Sequence, residues 1–136
     1  MSEPDTPVEV YKAIIDTLVN DTRRYGSSSH VEDRSIYSSA SEHSDFNEFI
    51  NSLSQEQRIL LARMLQEERD SSIHDVLALL TRWITVHDVG LTYQGEPMPV
   101  ELSGMGLHGD FIGRLTDWDW PTDESDPTDE PVNRNE

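Results

Sequence analysis

Residues 54–88, "SQEQRILLARMLQEERDSSIHDVLALLTRWITVHD", decide the fold. Ser54 and Gln57 have the spacing of a capping box, in which a hydroxyl and an amide side chain satisfy each other's backbone N–H. Leu60, Leu61, Met64 and Leu65 then point inward, while Arg63 and Glu67 make an outward pair one turn apart. "RDSSIHD", residues 69–75, reads as a junction, because serine hydroxyls compete for backbone groups and favour caps over helix interiors. Ser72 then caps a second helix, whose Ile73, Val76, Leu77, Leu80, Trp83 and Ile84 form the widest apolar face in the chain.

Upstream, "TPVEVYKAIIDTLVND" predicts a helix: Thr6 caps it, Pro7 suits its first position and Glu9 completes a capping box. Val8, Tyr11, Ile15, Leu18 and Val19 share a face, with Ile14 beside them. "SDFNEFINSL" predicts another, capped by Ser44, with Phe46, Phe49, Ile50 and Leu53 as its stripe. Between them residues 23–44, serine-rich and without an apolar period, read as a mobile loop with at most a helical turn around Ser35–Ser39.

Downstream of Asp88 the period changes to alternation. "VGLTYQGEPMPVEL" predicts a hairpin, with Leu91 and Tyr93 facing Met98, Val100 and Leu102 across a turn through Gly95, Glu96 and Pro97. Pro97 and Pro99 make its second strand an edge. "SGMGLHGDFIGRL" reads as a loop entering one or two helical turns. The fold class is α+β, mainly α: a body of about four helices, then a small C-terminal hairpin and a short helix. Residues 1–121 form one domain, and 122–136, which lack apolar content, form a disordered acidic tail.

The chain of 136 residues carries a formal net charge of −17, with Lys12 its only lysine. Direct binding to nucleic acid is disfavoured, because a phosphate backbone recruits Lys and Arg that displace its counterions. The expected partner is a protein with a basic surface, such as a nucleic-acid-binding protein. Without cysteine there is no thiol nucleophile, thiolate metal site or disulfide. Neither an apolar leader nor a membrane-length apolar run is present, so a cytoplasmic location without membrane attachment is expected; the sequence leaves the oligomeric state open.

Candidate chemistry is sparse. Gly104, Gly106 and Gly109 spell G-x-G-x-x-G, but the chain after Gly109 is too short for the strand–helix–strand unit that makes this a dinucleotide site, so a loop needing positive φ is expected. The tripeptide His-Asp-Val occurs at His74–Val76 and again at His87–Val89. Imidazole beside carboxylate is hydrolytic-metal chemistry, which makes His74, Asp75, His87 and Asp88 the alternative set for a metal-dependent hydrolase. Both doublets also suit helix ends. Asp70 and His74 would meet on an unbroken helix, which the junction prevents. No cofactor or catalytic residue is assigned.

"DFIGRLTDWDWP", residues 110–121, places Trp118 and Trp120 among Asp110, Asp117 and Asp119. If extended, the two rings share a face opposite Asp117 and Asp119. They then either fold back as a clasp over the hairpin and a helix, closing the core, or form an exposed anchor ringed by acids. In the second case Trp118, Trp120, Asp117, Asp119 and Asp110 bind the partner.

"YQGEPMP" and "GDFIGRLTDWDWP", with Val10–Val19 and Ser72–Leu77, resemble a family of small bacterial proteins of unknown function. In that family helices precede an aromatic-x-Gly-Glu-x-x-Pro hairpin and an ending of Asp-Phe-Ile-Gly-Arg and Trp-acid-Trp-Pro. The resemblance spans most of residues 8–121 outside the serine-rich loop and implies no activity, cofactor or catalytic residue. The function expected from the residues is a non-enzymatic acidic binding protein, an immunity-type or anti-defence inhibitor or a nucleic-acid mimic. The alternatives are the metal-dependent hydrolase and an acidic, solubility-adapted protein without such a partner.

Overall fold

A computed structural model describes residues 3–121. Helix α1, Pro7–Asn20, begins as its sequence dictates: the Thr6 hydroxyl accepts the Glu9 amide at 3.2 Å and Pro7 is the first helical residue. The Glu9 carboxylate accepts from the Asp5 amide at 3.1 Å instead of returning to Thr6, so the capping box is only half made. Tyr11 and Ile15 are the buried side chains of this helix.

The segment from 23 to 44 is not the loop its composition suggests. A 3₁₀ turn at Thr22–Tyr25, helix α2 at Ser28–Arg34 and a second 3₁₀ turn at Ser41–His43 occupy it, and Val31 is fully buried. Ser28 fastens α2 to the next layer, donating to the Ala62 carbonyl at 2.9 Å. A two-turn helix that buries a single side chain leaves no apolar period to detect. The turn expected around Ser35–Ser39 is displaced upstream, and Ser35 is the left-handed residue that ends α2 (φ 60°). Helix α3, Ser44–Asn51, follows; its cap position is His43, without a side-chain bond, so Ser44 is its first residue rather than its cap.

Helix α4 runs unbroken from Gln55 to His87, 33 residues. Its start is the expected capping box, with the Ser54 hydroxyl accepting from the Gln57 amide at 3.2 Å and the Gln57 side chain accepting from the Ser54 amide at 2.9 Å. The expected junction does not form. Asp70 is gripped by Arg23 through two bonds of 3.0 and 2.9 Å and by Gln66 at 2.9 Å, while Ile73 packs on the core, so both sides of Ser71 and Ser72 are held helical. Serine is only a weak helix former, and tertiary contacts override that preference.

Asp88 ends α4 in the left-handed region (φ 59°). Strands β1, Thr92–Tyr93, and β2, Glu96–Pro97, pair antiparallel with Thr92 opposite Pro97 and Tyr93 opposite Glu96. The turn is Gln94–Gly95, both at positive φ as a two-residue type I′ connection requires, so Glu96 and Pro97 belong to the strand and not to the turn. Met98 adds one more bond, to the Leu91 carbonyl at 2.9 Å, before the chain leaves the ladder. Helix α5, Gly106–Leu115, is longer than its glycines suggest. Thr81 of α4 accepts the Leu107 amide at 3.0 Å and so supplies from a distance the cap that the local sequence lacks.

Two apolar clusters share α4 as their spine. Tyr11, Ile15, Leu77, Met98, Leu107 and Phe111 join α1, α5 and the hairpin to its C-terminal half. Val31, Ile50 and Ala62, with Tyr37, Leu61 and Leu65 against them, join α2 and α3 to its N-terminal half. Four helices precede the hairpin as expected, although α2 replaces the helix that dividing α4 would have created. The tail at 122–136 lies outside the described residues.

The continuity of α4 gives a contrast of two alanines. Ser72→Ala, at an exposed interior position, should raise stability by about 0.5 kcal/mol, because alanine is the better helix former. Ser54→Ala should lower it by about 1 kcal/mol through loss of a real cap. Denaturant midpoints of the two variants check this, and a loss at Ser72 equal to that at Ser54 would restore the junction.

Candidate functional site

The C-terminal tryptophans fold back onto the body. Thr116 ends α5, Asp117 turns the chain in the left-handed region (φ 64°), and the Trp118 amide returns to the Gly113 carbonyl at 2.9 Å. Gly113 is what lets the Trp118 ring lie down there, since a Cβ would meet it at 3.0 Å. Trp120 crosses to α1: its indole N–H donates to Asp16 at 3.0 Å and its ring meets Tyr11 edge-on at 5.9 Å. Arg114 donates to the other Asp16 oxygen at 2.7 Å and also to the Trp118 carbonyl. The two indoles touch, with centroids 5.5 Å apart. This is the geometry of the clasp, closed against α1 and α5, with both rings half-buried and Asp117 and Asp119 exposed.

Asp110 is fully buried, which removes it from any partner-facing set. Its two carboxyl oxygens accept the hydroxyls of Tyr11 and Ser103, joining α5 to α1 and to the loop before α5. Burial, and after it the adjacent Asp110 carboxyl, push the Tyr11 phenol well above its ordinary value near 10.

The His-Asp doublets are not brought together. Thirteen residues of unbroken helix hold His74 and His87 about 20 Å apart on different faces. Asp75 lies against its own neighbour, His74 Nδ1, at 3.3 Å, and His74 meets His108 of α5 edge-on at 5.2 Å. His87 stacks on Trp83 at 4.2 Å, and Asp88 is the terminating residue of α4. Asp70 is engaged by Arg23 and Gln66, although the unbroken helix does set it one turn from His74. Among the described residues no group of three His, Asp or Glu side chains is placed to hold a metal ion. Gly104 and Gly106 take positive φ, and Gly109 lies within α5, where a Cβ would sit 2.5 Å from that of Met105. These glycines serve loop shape and close packing.

The surface that sequence reasoning misses is on α4. Ile73, Leu77 and Ile84 face the core, but Val76, Leu80 and Trp83 do not; with Leu79 and Val86 they form an exposed apolar stripe, Leu79 at 55% and Val86 at 64%. A signal for it is present, because apolar residues from 73 to 86 cover an arc of about 180°, wider than one packed face of roughly 100° uses. Among the described residues no helix is long and apolar enough to cross a membrane.

Helices on a shared spine, a small hairpin and a tryptophan clasp define a helical α+β protein, mainly α, with an exposed apolar face on α4. The chain belongs to a family of unknown function, DUF6547, whose model matches residues 4–122. No curated protein and no solved structure matches it.

The clasp and the buried phenol each have a measurable consequence. Trp120→Ala, which removes the Asp16 bond and the Tyr11 contact, should cost about 3 kcal/mol, and Trp118→Ala less; thermal and denaturant unfolding measure both, and an unshifted midpoint for Trp120→Ala would refute the clasp. The Tyr11 effect has a definite sign. The folded state favours the protonated phenol, so the stability it contributes is complete below pH 10 and declines as pH rises beyond that value. Denaturation midpoints from neutral to alkaline pH should show that decline in the native protein and a weaker one in Tyr11→Phe.

Proposed function

We propose that this chain is a non-enzymatic acidic binding protein that occupies a basic surface of another macromolecule, in the manner of an immunity-type or anti-defence inhibitor. The observation that carries this is the disposition of charge. Arg23 is tied to Asp70, Arg58 to the Glu32 carbonyl, Arg69 to the Thr22 carbonyl and Arg114 to Asp16, while Lys12 leans over the Trp120 ring at 6.0 Å. Only Asp16, Asp70 and Asp110 among the described acids are similarly withdrawn; the others are exposed, on helices α1 to α4 and on the connecting segments. Arg24, Arg34, Arg63 and Arg82 remain exposed, but against eighteen exposed acids among the described residues, so the surface is strongly acidic. Such a field accelerates encounter with a basic partner and rejects acidic ones.

Imitation of nucleic acid is the less favoured form of this reading. Between Glu56 and Glu67, and between Asp75 and Asp88, α4 carries no acid for about 16 and 20 Å, against about 3.4 Å per phosphate along a strand. A partner protein met through both acids and apolar side chains fits α4 better.

The test is retention on the immobilised full chain from an extract of the source cell, at low and at high salt. Retained proteins should be basic and should elute as salt rises, because screening weakens exposed charge pairs. If nothing basic is held at low salt, the acidity serves solubility and the proposal fails.

A further inference from the structure

The bare stripe on α4 has a geometry of its own. Leu61, Leu65, Ser72, Val76, Leu79, Trp83 and Val86 recur at helical spacing along one side of the rod. At the N-terminal end Leu61 and Leu65 pack in the cluster built on Val31 and Ile50, so α2 and α3 cover the stripe there. From Ser72 onward nothing in the described chain covers it. Beside the bare part lies a mainly apolar groove of about 300 Å³, with Ile73 and Leu77 in its lining, walls from Leu18 and Thr22 on the α1 side and Ser72 and Val76 on α4, and one base, Arg69, whose guanidinium is turned to the Thr22 carbonyl at 3.0 Å on the side away from Glu68 and Asp75. Ile14, one turn before Leu18, extends the α1 side and is 44% exposed. A valley between two helices, continuing a face that a helix already covers elsewhere, is shaped to take another helix.

Charge selects among occupants. Glu68 and Asp75, both exposed, border the stripe on the edge away from α1, and Asp88 stands exposed beyond its end; Arg82 is the base on that border. A second copy would bring a net charge of −17 toward a chain of the same charge. A helix with Lys or Arg along one flank would meet Glu68 and Asp75 with opposite sign while its apolar face meets Val76, Leu79, Leu80 and Trp83.

We propose that the valley between α1 and the C-terminal half of α4 seats an amphipathic helix of a partner protein, with basic side chains along the edge facing Glu68 and Asp75. This rests on the binding function proposed above and names its contact face. The anchors are Val76, Leu79 and Trp83, because apolar side chains excluded from water at the centre of an interface carry most of its energy, while the acids set orientation and encounter rate.

The probe is a synthetic Leu/Lys amphipathic helix about five turns long, titrated into the isotope-labelled full chain and followed by backbone chemical shifts, with a Leu/Glu helix of the same apolar pattern as control. The Leu/Lys helix should bind, with shifts concentrated at residues 72–86 and 14–18, and the Leu/Glu helix should not. Val76→Ser with Leu79→Ser, both at exposed positions, should weaken binding by about tenfold or more. Glu32→Lys with Asp33→Lys, exposed on α2, should weaken it by less than about twofold, as expected for charges remote from the contact. If the α2 pair matters as much as the α4 pair, or the shifts spread over all acidic surfaces, attraction to basic partners stands but the valley is not its seat. Absence of binding to the Leu/Lys helix overturns the docking proposal outright, while the salt-dependent retention experiment separately decides the broader function. Concentration-dependent dimers that disappear in the α4 pair would assign the face to a second copy and also overturn it.

Discussion

The buried carboxyl of Asp110 is the constraint on which the larger cluster depends. It takes hydroxyls from Tyr11, 99 residues away, and from Ser103, and so ties α1, α5 and the loop before α5 together at one buried point. An acid without access to water requires such partners, because an unpaired polar group in an apolar interior costs about 1–3 kcal/mol or more. Phe111, beside it and equally buried, is thereby held against Ile15 and Leu107 in the same cluster. The polar bond sets the register and the apolar contacts provide the bulk of the stabilisation. Asp16 repeats the device nearer the surface, gathering Arg114 and Trp120 and so fastening the last described residues to α1.

Helix α4 gives the second organising fact. As a spine about 50 Å long it is touched by two separate clusters, one toward each end and each from a limited arc. Packing on one side of a rod leaves the rest of its circumference to solvent, and natural helices normally make that remainder polar. Here it is polar in the middle, at Glu67, Glu68 and Ser71, and carries exposed apolar side chains on either side, Ile59, Leu60 and Met64 before it and Val76, Leu79, Trp83 and Val86 after it. Leu60 and Met64, whose spacing turns them inward in the sequence, are among the exposed ones, at 52% and 59%.

Much of this architecture is legible in the amino-acid sequence. The limits of α1, the capping box at Ser54 and the change of period after Asp88 all follow from short-range chemistry. The return of the tryptophans, one of two outcomes the sequence leaves open, is instead decided at Asp16, 104 residues from Trp120, and at Tyr11. What escapes such a reading is decided by partners far along the chain. Ser71 and Ser72 look like a break until Arg23 and Gln66 take hold of Asp70. Helix α5 looks too rich in glycine until Thr81 caps it. Asp110, grouped by its neighbours with surface acids, is an interior residue because Tyr11 is there to meet it. The exposed α4 face reads as core for a related reason: helical spacing shows that apolar residues share a side, but not how many sides have something to pack against.

The 99-residue span of the Tyr11–Asp110 bond also bears on the order in which a growing chain can become structured. The cluster of Val31, Ile50, Ala62 and Leu65 lies within one continuous stretch and can close as soon as the first turns of α4 have left the ribosome. Helix α1, synthesised earlier, must wait for Phe111 and Trp120, near the end of the described chain, before its apolar face is covered. Synthesis at about 5–20 residues per second leaves that face open for several seconds or more. The chain is therefore stabilised from the middle outward, and its first helix is among the last parts to find its place.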